Sequence, residues 1–245
     1  MRVAAKTDPG QVRRANEDCY SVGELPNGVV WAVICDGMGG AAGGNIASQT
    51  AVRYIAEAIV ASWQEHMSPR AAKHLLVSAL DNANLRVYDL AQANEELTGM
   101  GTTVVAVIVD NGLAYIAHAG DSRAYLCDGR EMIQLTKDHS VVQVMVDSGQ
   151  ITEDEAKTHP RKNLITRALG VSDTLEADYC EEELPPGSLL LLCTDGLTNA
   201  VAPEEIPGIL AESGFADLAD ALVRRANENG GPDNITVVAV ENNLQ

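Results

Sequence analysis

Basic residues are scarce in this sequence. Its 245 residues include 17 lysines and arginines against 35 aspartates and glutamates, a formal net charge of −18, and no run of basic residues interrupts the acidic excess. The phosphates of a nucleic acid and the headgroups of an anionic membrane would repel such a chain. We therefore expect neither nucleic acid nor a membrane among its partners.

Long apolar runs and paired cysteine motifs are also lacking. Residues 1–20 contain no apolar signal core, and aliphatic stretches such as residues 189–192 are far too short to cross a bilayer. The five cysteines form no Cys-x-x-Cys spacing, which favours reduced thiols in a core over disulfides. These absences predict a soluble, cytoplasmic protein.

Short aliphatic and β-branched segments predict a protein rich in strands. Asn-Gly and Asp-Gly pairs lie between several of them, as in hairpin turns, so much of the sheet should be antiparallel. The chain is long enough for one core, and we expect a single domain over residues 1–245. The predicted strands are residues 29–35, 102–109, 113–117, 124–127, 188–193 and 235–240.

Apolar residues at helical spacing predict long helices between the first two strand groups. One should run from Ile46 to about Trp63, and the next should begin at Pro69 with Ser68 as its N-cap. A last helix is predicted from residue 215 to 226, capped by Ser213. Residues 137–170 are polar and interrupted by glycine and proline, which predicts a small helical excursion, and residues 172–186 are predicted to be a connection.

Aspartates next to glycine or asparagine lie where predicted strands begin or end. Each pair alone is also typical of a turn, but four of them far apart in sequence indicate a shared site. Carboxylates without matching Cys or His residues favour a hard cation such as Mg²⁺ or Mn²⁺ over zinc. The four pairs are Asp36-Gly37, Gly120-Asp121, Asp195-Gly196 and Asp233-Asn234.

The run from Gly37 to Ala42 also fits the dinucleotide fingerprint Gly-x-Gly-x-x-Ala between a strand and a helix. Two features count against that function. Asp36 would place a carboxylate beside the pyrophosphate, and about twenty residues later, where a second strand should end in an acid, the helical pattern is still running.

Six motifs follow one another along the chain. They are Val12-Arg13 with Asn16-Glu17-Asp18, Asp36-Gly37-Met38-Gly39-Gly40, Met100-Gly101-Thr102-Thr103, Gly120-Asp121-Ser122-Arg123, Thr194-Asp195-Gly196-Leu197 and Asp233-Asn234-Ile235-Thr236. In this order and over essentially the whole chain, they resemble the PPM-type (type 2C) metal-dependent protein phosphatases, in particular the compact bacterial members. The resemblance implies an α+β fold, a four-layer α-β-β-α sandwich of two mostly antiparallel sheets flanked by helix pairs. Residues 137–170 would be a small helical flap beside a metal cleft.

The resemblance also implies a metal centre with Mn²⁺ or Mg²⁺. Two central ions would be held by Asp36, Asp195, Asp233 and the carbonyl oxygen of Gly37. Asp121 would hold a third ion together with Asp195, and we expect this ion to bind more weakly than the central pair.

Three further residues receive roles from the same resemblance. Arg13 would bind the phosphate through its planar guanidinium. Glu17 and Asp18 would act through metal-bound waters, in the shell that orients the ligands.

The proton donor for the leaving group is not identified by the motifs. Animal relatives have a histidine directly after the Asp-Gly pair, where this chain has Met38, and many bacterial relatives have one after Gly-Gly, where it has Ala41. His159 in the flap is the candidate contributor that remains, and we assign structural roles to the other four histidines.

The implied reaction is the hydrolysis of phosphoserine and phosphothreonine in proteins by a water activated at the two-ion centre, with a third ion assisting. The partners would be phosphorylated proteins, namely a bacterial serine/threonine kinase and its substrates, and we expect a monomer. The alternative is a catalytically silent phosphoprotein-binding module on the same fold. That function usually requires the loss of a metal ligand or of the phosphate-binding arginine, and all of these residues are present.

Overall fold

The computed structural model describes residues 1–39, 43–129 and 131–243. Gly40, Ala41 and Ala42 of the glycine-rich run lie outside these ranges. The strands, in chain order, are β1 (Arg2–Asp8), β2 (Asp18–Leu25), β3 (Val29–Met38), β4 (Gly101–Thr102), β5 (Val104–Asp110), β6 (Leu113–Ala119), β7 (Arg123–Asp128), β8 (Glu131–Gln134), β9 (Asp178–Glu183), β10 (Leu189–Cys193) and β11 (Ile235–Glu241). The helices are α1 (Gly43–Ser62), α2 (Pro69–Ala93), α3 (Val141–Asp147), α4 (Glu153–Lys157), α5 (Asp195–Thr198), α6 (Ile206–Glu212) and α7 (Leu218–Glu228).

The strands form two antiparallel sheets that pack face to face. The first sheet has the order β1-β11-β10-β7-β8, and the second has the order β2-β3-β5-β6-β9, with β4 paired to β3. Helices α1 and α2 pack on the outer face of the second sheet, and α6 and α7 pack on the outer face of the first. This arrangement confirms the predicted four-layer α-β-β-α sandwich.

Side chains alternate in direction along the central strands and so form the cores between the layers. On β3, Ala32 and Ile34 face the other sheet, whereas Val33 and Cys35 face α1 and α2. All four are completely buried, because β3 has covered faces on both sides. Burying one large aliphatic side chain such as Ile34 contributes about 1.5–3 kcal/mol, so the strand that ends at Asp36 is anchored on both faces.

The predicted hairpin turn at Asn111-Gly112 is present. It joins β5 to β6, with Asp110 paired to Leu113. Asn111 and Gly112 have φ values of 48° and 81°, as the type I′ turn requires at both central residues, and this turn suits the twist of antiparallel strands.

The three predicted helices are present and begin at or within three residues of the predicted positions, but the cap predicted for the last one is wrong. The Ser68 side chain accepts a hydrogen bond from the Ala71 backbone and caps α2. Ser213, the predicted cap of the last helix, instead follows the end of α6, and α7 begins at Leu218 after a 3-10 turn. That prediction was wrong because the apolar spacing continues through the turn.

Residues 137–170 contain α3 and α4 and are tied to the sandwich at both ends. At the start, Arg123 binds Asp138 through two parallel hydrogen bonds of 2.8 and 2.7 Å. At the end, Leu169 bridges to Thr102 beside β3. None of the helices in the described ranges has the length and apolarity that a bilayer crossing requires.

Candidate active site

Two aspartates face each other where β2 and β3 meet. Asp18 and Asp36 are directly paired across the two strands. The backbone N–H of Asp36 donates to Thr103 Oγ1 at 3.0 Å, and its carbonyl accepts from the Thr103 N–H at 2.9 Å and from Thr102 Oγ1 at 2.9 Å. The main chain of Asp36 is therefore fixed on three sides.

Gly37 lets three segments converge beside Asp36. Its N–H donates to the Glu17 carbonyl at 3.1 Å. A Cβ at this position would lie 2.6 Å from that carbonyl oxygen and would overlap the carbonyl oxygen of Gly44 at the start of α1. Only glycine allows the end of β3, the start of α1 and the segment before β2 to approach this closely.

Asp18 is almost completely buried behind this junction, with 7% of its surface exposed. Its Oδ2 accepts hydrogen bonds from Thr194 Oγ1 at 2.8 Å and Thr236 Oγ1 at 2.7 Å. Its Oδ1 is buried and has no hydrogen-bond partner among the described residues. Burial, reinforced by the negative charges of Asp195 and Asp233, raises the pKa of Asp18 to about 7. A buried acceptor without a partner destabilises the fold unless a cation or water binds it.

Asp36, Asp121, Asp195 and Asp233 converge on one cavity of about 250 Å³. Burial, followed by repulsion from the neighbouring aspartates, raises the pKa of Asp36 well above its ordinary value. The same two causes raise the pKa of Asp121 to about 7 and also raise that of Asp195. The complete lining is Arg13, Glu17, Asp36, Gly37, Met38, Gly39, Thr103, Asp121, Asn163, Ile165, Asp195, Asp233 and Asn234.

Arg13 is the one cationic side chain among the described residues that line the cavity. Its Nη2 lies 2.8 Å from Asp233 Oδ2, and both side chains are partly exposed. Glu17 is less buried than Asp36, Asp121 and Asp195, and its pKa is raised mainly by burial. A single guanidinium at the rim does not balance this many carboxylates, so the cavity is suited to cations.

Residues 11–239 match the family described as Protein phosphatase 2C. The chain belongs to this family. It is 38% identical over 248 residues to the serine/threonine phosphatase stp of Listeria monocytogenes serovar 1/2a, covering 100% of this chain and 97% of the relative. The serine/threonine phosphatase structure from S. agalactiae superposes with a TM-score of 0.91 at 35% identity, covering 97% of this chain and 98% of that one. The catalytic domain of the serine/threonine protein phosphatase PstP, solved in complex with 2 manganese ions, gives a TM-score of 0.85 at 35% identity, covering 97% and 96%. The protein is thus a protein serine/threonine phosphatase.

The flap of the phosphatase reaches the cavity through residues that the sequence did not single out. Asn163 and Ile165 lie in the lining. His159, the predicted contributor, is not part of the lining, and its Nδ1 accepts the backbone N–H of Arg161 at 3.1 Å. No signal in the sequence separates Asn163 from the other polar flap residues.

Three threonine hydroxyls form hydrogen bonds with Asp18 or Asp36. They belong to Thr103, Thr194 and Thr236, which lie in the sequence motifs but received no role from them. Their spacing from the aspartates in sequence gives no indication of these contacts, because the partners come from different strands.

A second group of potential ligands, His118, His139 and Asp178, lies at the base of the flap. The two imidazole rings are stacked 4.8 Å apart with an angle of 10°, so their in-plane lone pairs do not point at one ion. His139 Nδ1 accepts the Gly120 N–H at 3.2 Å, and Arg167 Nη1 lies 3.2 Å from its Nε2. The adjacent guanidinium also disfavours a cation, and these contacts join the flap to β6.

Proposed function

We propose that this phosphatase hydrolyses phosphoserine and phosphothreonine in proteins with the help of bound Mn²⁺ or Mg²⁺. Asp36, Asp195, Asp233 and the carbonyl oxygen of Gly37 would hold two central ions. The observation that carries the proposal is the convergence of these oxygens from three separate strand ends on one cavity. Hard divalent cations prefer such a set of oxygens, and the PstP domain that binds two manganese ions is similar over nearly its whole length.

The unpartnered Oδ1 of Asp18 fits this assignment. It lies directly behind Asp36, whose strand pairs with that of Asp18. Thr194 and Thr236 hold its other oxygen, so Oδ1 is the oxygen left to accept a hydrogen bond from water, although Asp18 itself lies outside the cavity lining. Asp18 would therefore orient water through Oδ1, and Glu17, which lines the cavity, would do the same.

Divalent cations in this cavity would supply hydroxide from water at neutral pH and would neutralise charge on the phosphate oxygens. Arg13 would bind the phosphate through its guanidinium, which presents two parallel donors to an oxyanion. In the structure this group is paired with Asp233. The same guanidinium is therefore already positioned at the edge of the cavity, where a phosphate can replace Asp233 as its partner.

Asp121 would hold a third ion with Asp195, since both carboxylates line the same cavity. The donor of the proton to the leaving alcohol would come from this side of the cavity. Met38 lines the cavity but has no ionisable proton to donate. We retain His159 as a residue beside the substrate path.

We further infer that the phosphatase opposes a serine/threonine kinase and acts on that kinase and its substrates. We also infer that it works as a monomer in the cytoplasm. Its residues 1–245 would form one domain. Five free cysteines support a reducing compartment. The silent phosphoprotein-binding function is disfavoured, because Arg13 and every predicted carboxylate ligand lie around the same cavity.

Release of phosphate from a phosphothreonine peptide tests the proposed function. Protein freed of metal with a chelator should be inactive, and added Mn²⁺ or Mg²⁺ should restore turnover. Full activity after exhaustive chelation would contradict the metal-dependent mechanism. Peptide binding without turnover at any metal concentration would favour the silent module.

A further inference from the structure

Residues 9–17 connect β1 to β2 and carry Arg13. This loop has no regular hydrogen-bond ladder of its own, and Arg13 is exposed over about half of its side chain, 53%. An arginine on an unsupported loop would sample many orientations, and ordering it on phosphate binding would reduce affinity. Whatever fixes the loop therefore determines how well Arg13 is placed.

Asn234 makes three hydrogen bonds to the backbone of this loop. Its Nδ2 donates to the Pro9 and Ala15 carbonyls, each at 2.9 Å, and its Oδ1 accepts the Glu17 N–H at 2.8 Å. The side chain thus contacts the loop at its start, near its end and at the residue before β2. Asn234 is 5% exposed, so these bonds are shielded from competing water.

The loop also packs closely on the segment that precedes Asn234. Gln11 donates its N–H to the Gly231 carbonyl at 2.8 Å. Gly10 has a φ of 77°, and a Cβ there would overlap the Asp233 carbonyl oxygen. The chain around Asp233 and the loop therefore form one unit, with the Asn234 side chain at its centre.

This unit joins the phosphate-binding group to a predicted metal ligand. Arg13 pairs with Asp233, and the backbone N–H of Asn234 donates to Asp233 Oδ1 at 2.9 Å. Replacing the Asn234 side chain leaves that N–H in place. A substitution at Asn234 consequently releases the Arg13 loop without removing a direct contact to Asp233.

We propose that Asn234 is a positioning residue that holds the Arg13 loop in its phosphate-binding conformation. The proposal rests on the proposed function, in which Arg13 binds phosphate. Although Asn234 lines the cavity, its side-chain amide is bonded to the loop backbone, so it acts on phosphate binding through the loop. Its removal should therefore weaken phosphate binding in the same way as removal of Arg13, and the two effects should not add.

A double-mutant cycle with Asn234→Ala and Arg13→Ala tests the proposal, using KM for an aryl phosphate, kcat, and competitive inhibition by inorganic phosphate at saturating Mn²⁺. Asn234→Ala should raise KM and the inhibition constant together by roughly tenfold, with kcat changed less than about threefold. Adding Arg13→Ala to this background should change KM by less than about twofold. Asn234→Asp keeps the acceptor but sets a carboxylate oxygen against the Pro9 and Ala15 carbonyls that the amide bonded, so it should raise KM at least as much as Asn234→Ala.

Asn84→Ala is the matched control. Asn84 is a buried asparagine that also bonds to the backbone at two points, the Gly170 N–H and the Ser172 carbonyl, away from the Arg13 loop. The Asn84→Ala variant should have a lower thermal midpoint and an unchanged KM.

Any of three results would overturn the positioning role: additive effects of Asn234→Ala and Arg13→Ala, an unchanged KM in Asn234→Ala, or unfolding of both Asn234 variants. If Arg13→Ala alone leaves KM and phosphate inhibition unchanged, the proposed phosphate-binding role of Arg13 is wrong.

Discussion

Asn199 donates its side-chain amide to Asp195 Oδ2 at 2.9 Å. The oxygen of the same amide accepts a hydrogen bond of 3.1 Å from Lys162 Nζ. Lys162 belongs to residues 137–170, so one side chain of the flap reaches Asp195 through a single intermediate. The position of the flap and the orientation of Asp195 are consequently linked.

Replacing Lys162 should affect large substrates more than small ones. Lys162→Met removes the link to Asn199 and keeps most of the side-chain volume, so the flap should move more freely while the cavity stays intact. We expect kcat/KM for a phosphothreonine peptide to fall about three- to tenfold, with little change for an aryl phosphate. Lys137→Met, which alters another flap lysine that pairs with Asp147 inside the flap, is the control. Equal losses on both substrates would place Lys162 in the chemistry.

His159→Ala is a second test of whether the flap affects large substrates more than small ones. Because His159 does not line the cavity, its loss should reduce turnover of the phosphopeptide more than that of the aryl phosphate. A comparable loss of kcat on both substrates would show that His159 takes part in proton transfer.

The four-layer fold could be predicted from the family resemblance that the six motifs carry, but four strands could not be predicted from the residue pattern. The missed strands β1, β2, β8 and β9 are the outermost strands of the two sheets. Their burial is mostly partial, because an edge strand has a neighbour on one side only and tolerates polar residues. β9 lies within residues 172–186, which were predicted to be a connection, and its run of glutamates conceals the alternation.

The aspartates of the site could be found because each stands beside a glycine or asparagine at the end of an apolar strand. Their supporting residues could not be found in this way. Asn234 contacts the site through bonds that depend on which strand ends meet, and that follows from topology. Asn199 bonds to Asp195 only four residues away, but nothing in the sequence marks it as a partner. The unpartnered oxygen of Asp18 likewise becomes visible only after both threonines are placed.

Removing a carboxylate from the cavity should abolish activity and stabilise the metal-free protein. Asp36→Asn removes a buried negative charge that is repelled by its neighbours, so turnover should be lost while the thermal midpoint in chelator rises on the order of 5 °C. Asp195→Asn should behave similarly. Asp128→Asn, at an exposed position at the end of β7, should change neither quantity. Near-normal turnover in Asp36→Asn would show that another carboxylate holds the ions.

Arg13→Ala should weaken phosphate binding without weakening metal binding. The guanidinium repels cations and occupies Asp233, so its removal should leave Mn²⁺ affinity unchanged or slightly higher, while KM rises about tenfold or more. Calorimetric titration with Mn²⁺ and steady-state kinetics measure the two effects separately. Arg14→Ala serves as the control at the neighbouring position. Parallel losses of metal and substrate affinity would assign a structural role to Arg13.

Asp121→Ala should retain the central ions and lose catalytic rate. Asp121 follows Gly120, whose φ of 111° and close approach to Thr103 leave no room for a side chain, and Asp121 itself lines the cavity. A site built from Asp121 and an Asp195 already shared with the central pair has little protein charge to offer and must complete its shell with water. Mg²⁺ and Mn²⁺ accept such hydration, so binding should be weaker than at the central sites.

The expected signature of Asp121→Ala is therefore a large fall in kcat at every metal concentration, with unchanged folding and two retained ions. Crystals soaked in Mn²⁺ should show the central pair and no third ion, and kinetics over a range of Mn²⁺ concentrations should show that excess metal does not restore the rate. Asp128→Ala, which removes an acid at an exposed position, controls for the change in net charge. A normal kcat in Asp121→Ala would show that Asp121 is only a turn residue. Loss of the two central ions would show that it is a ligand of those ions.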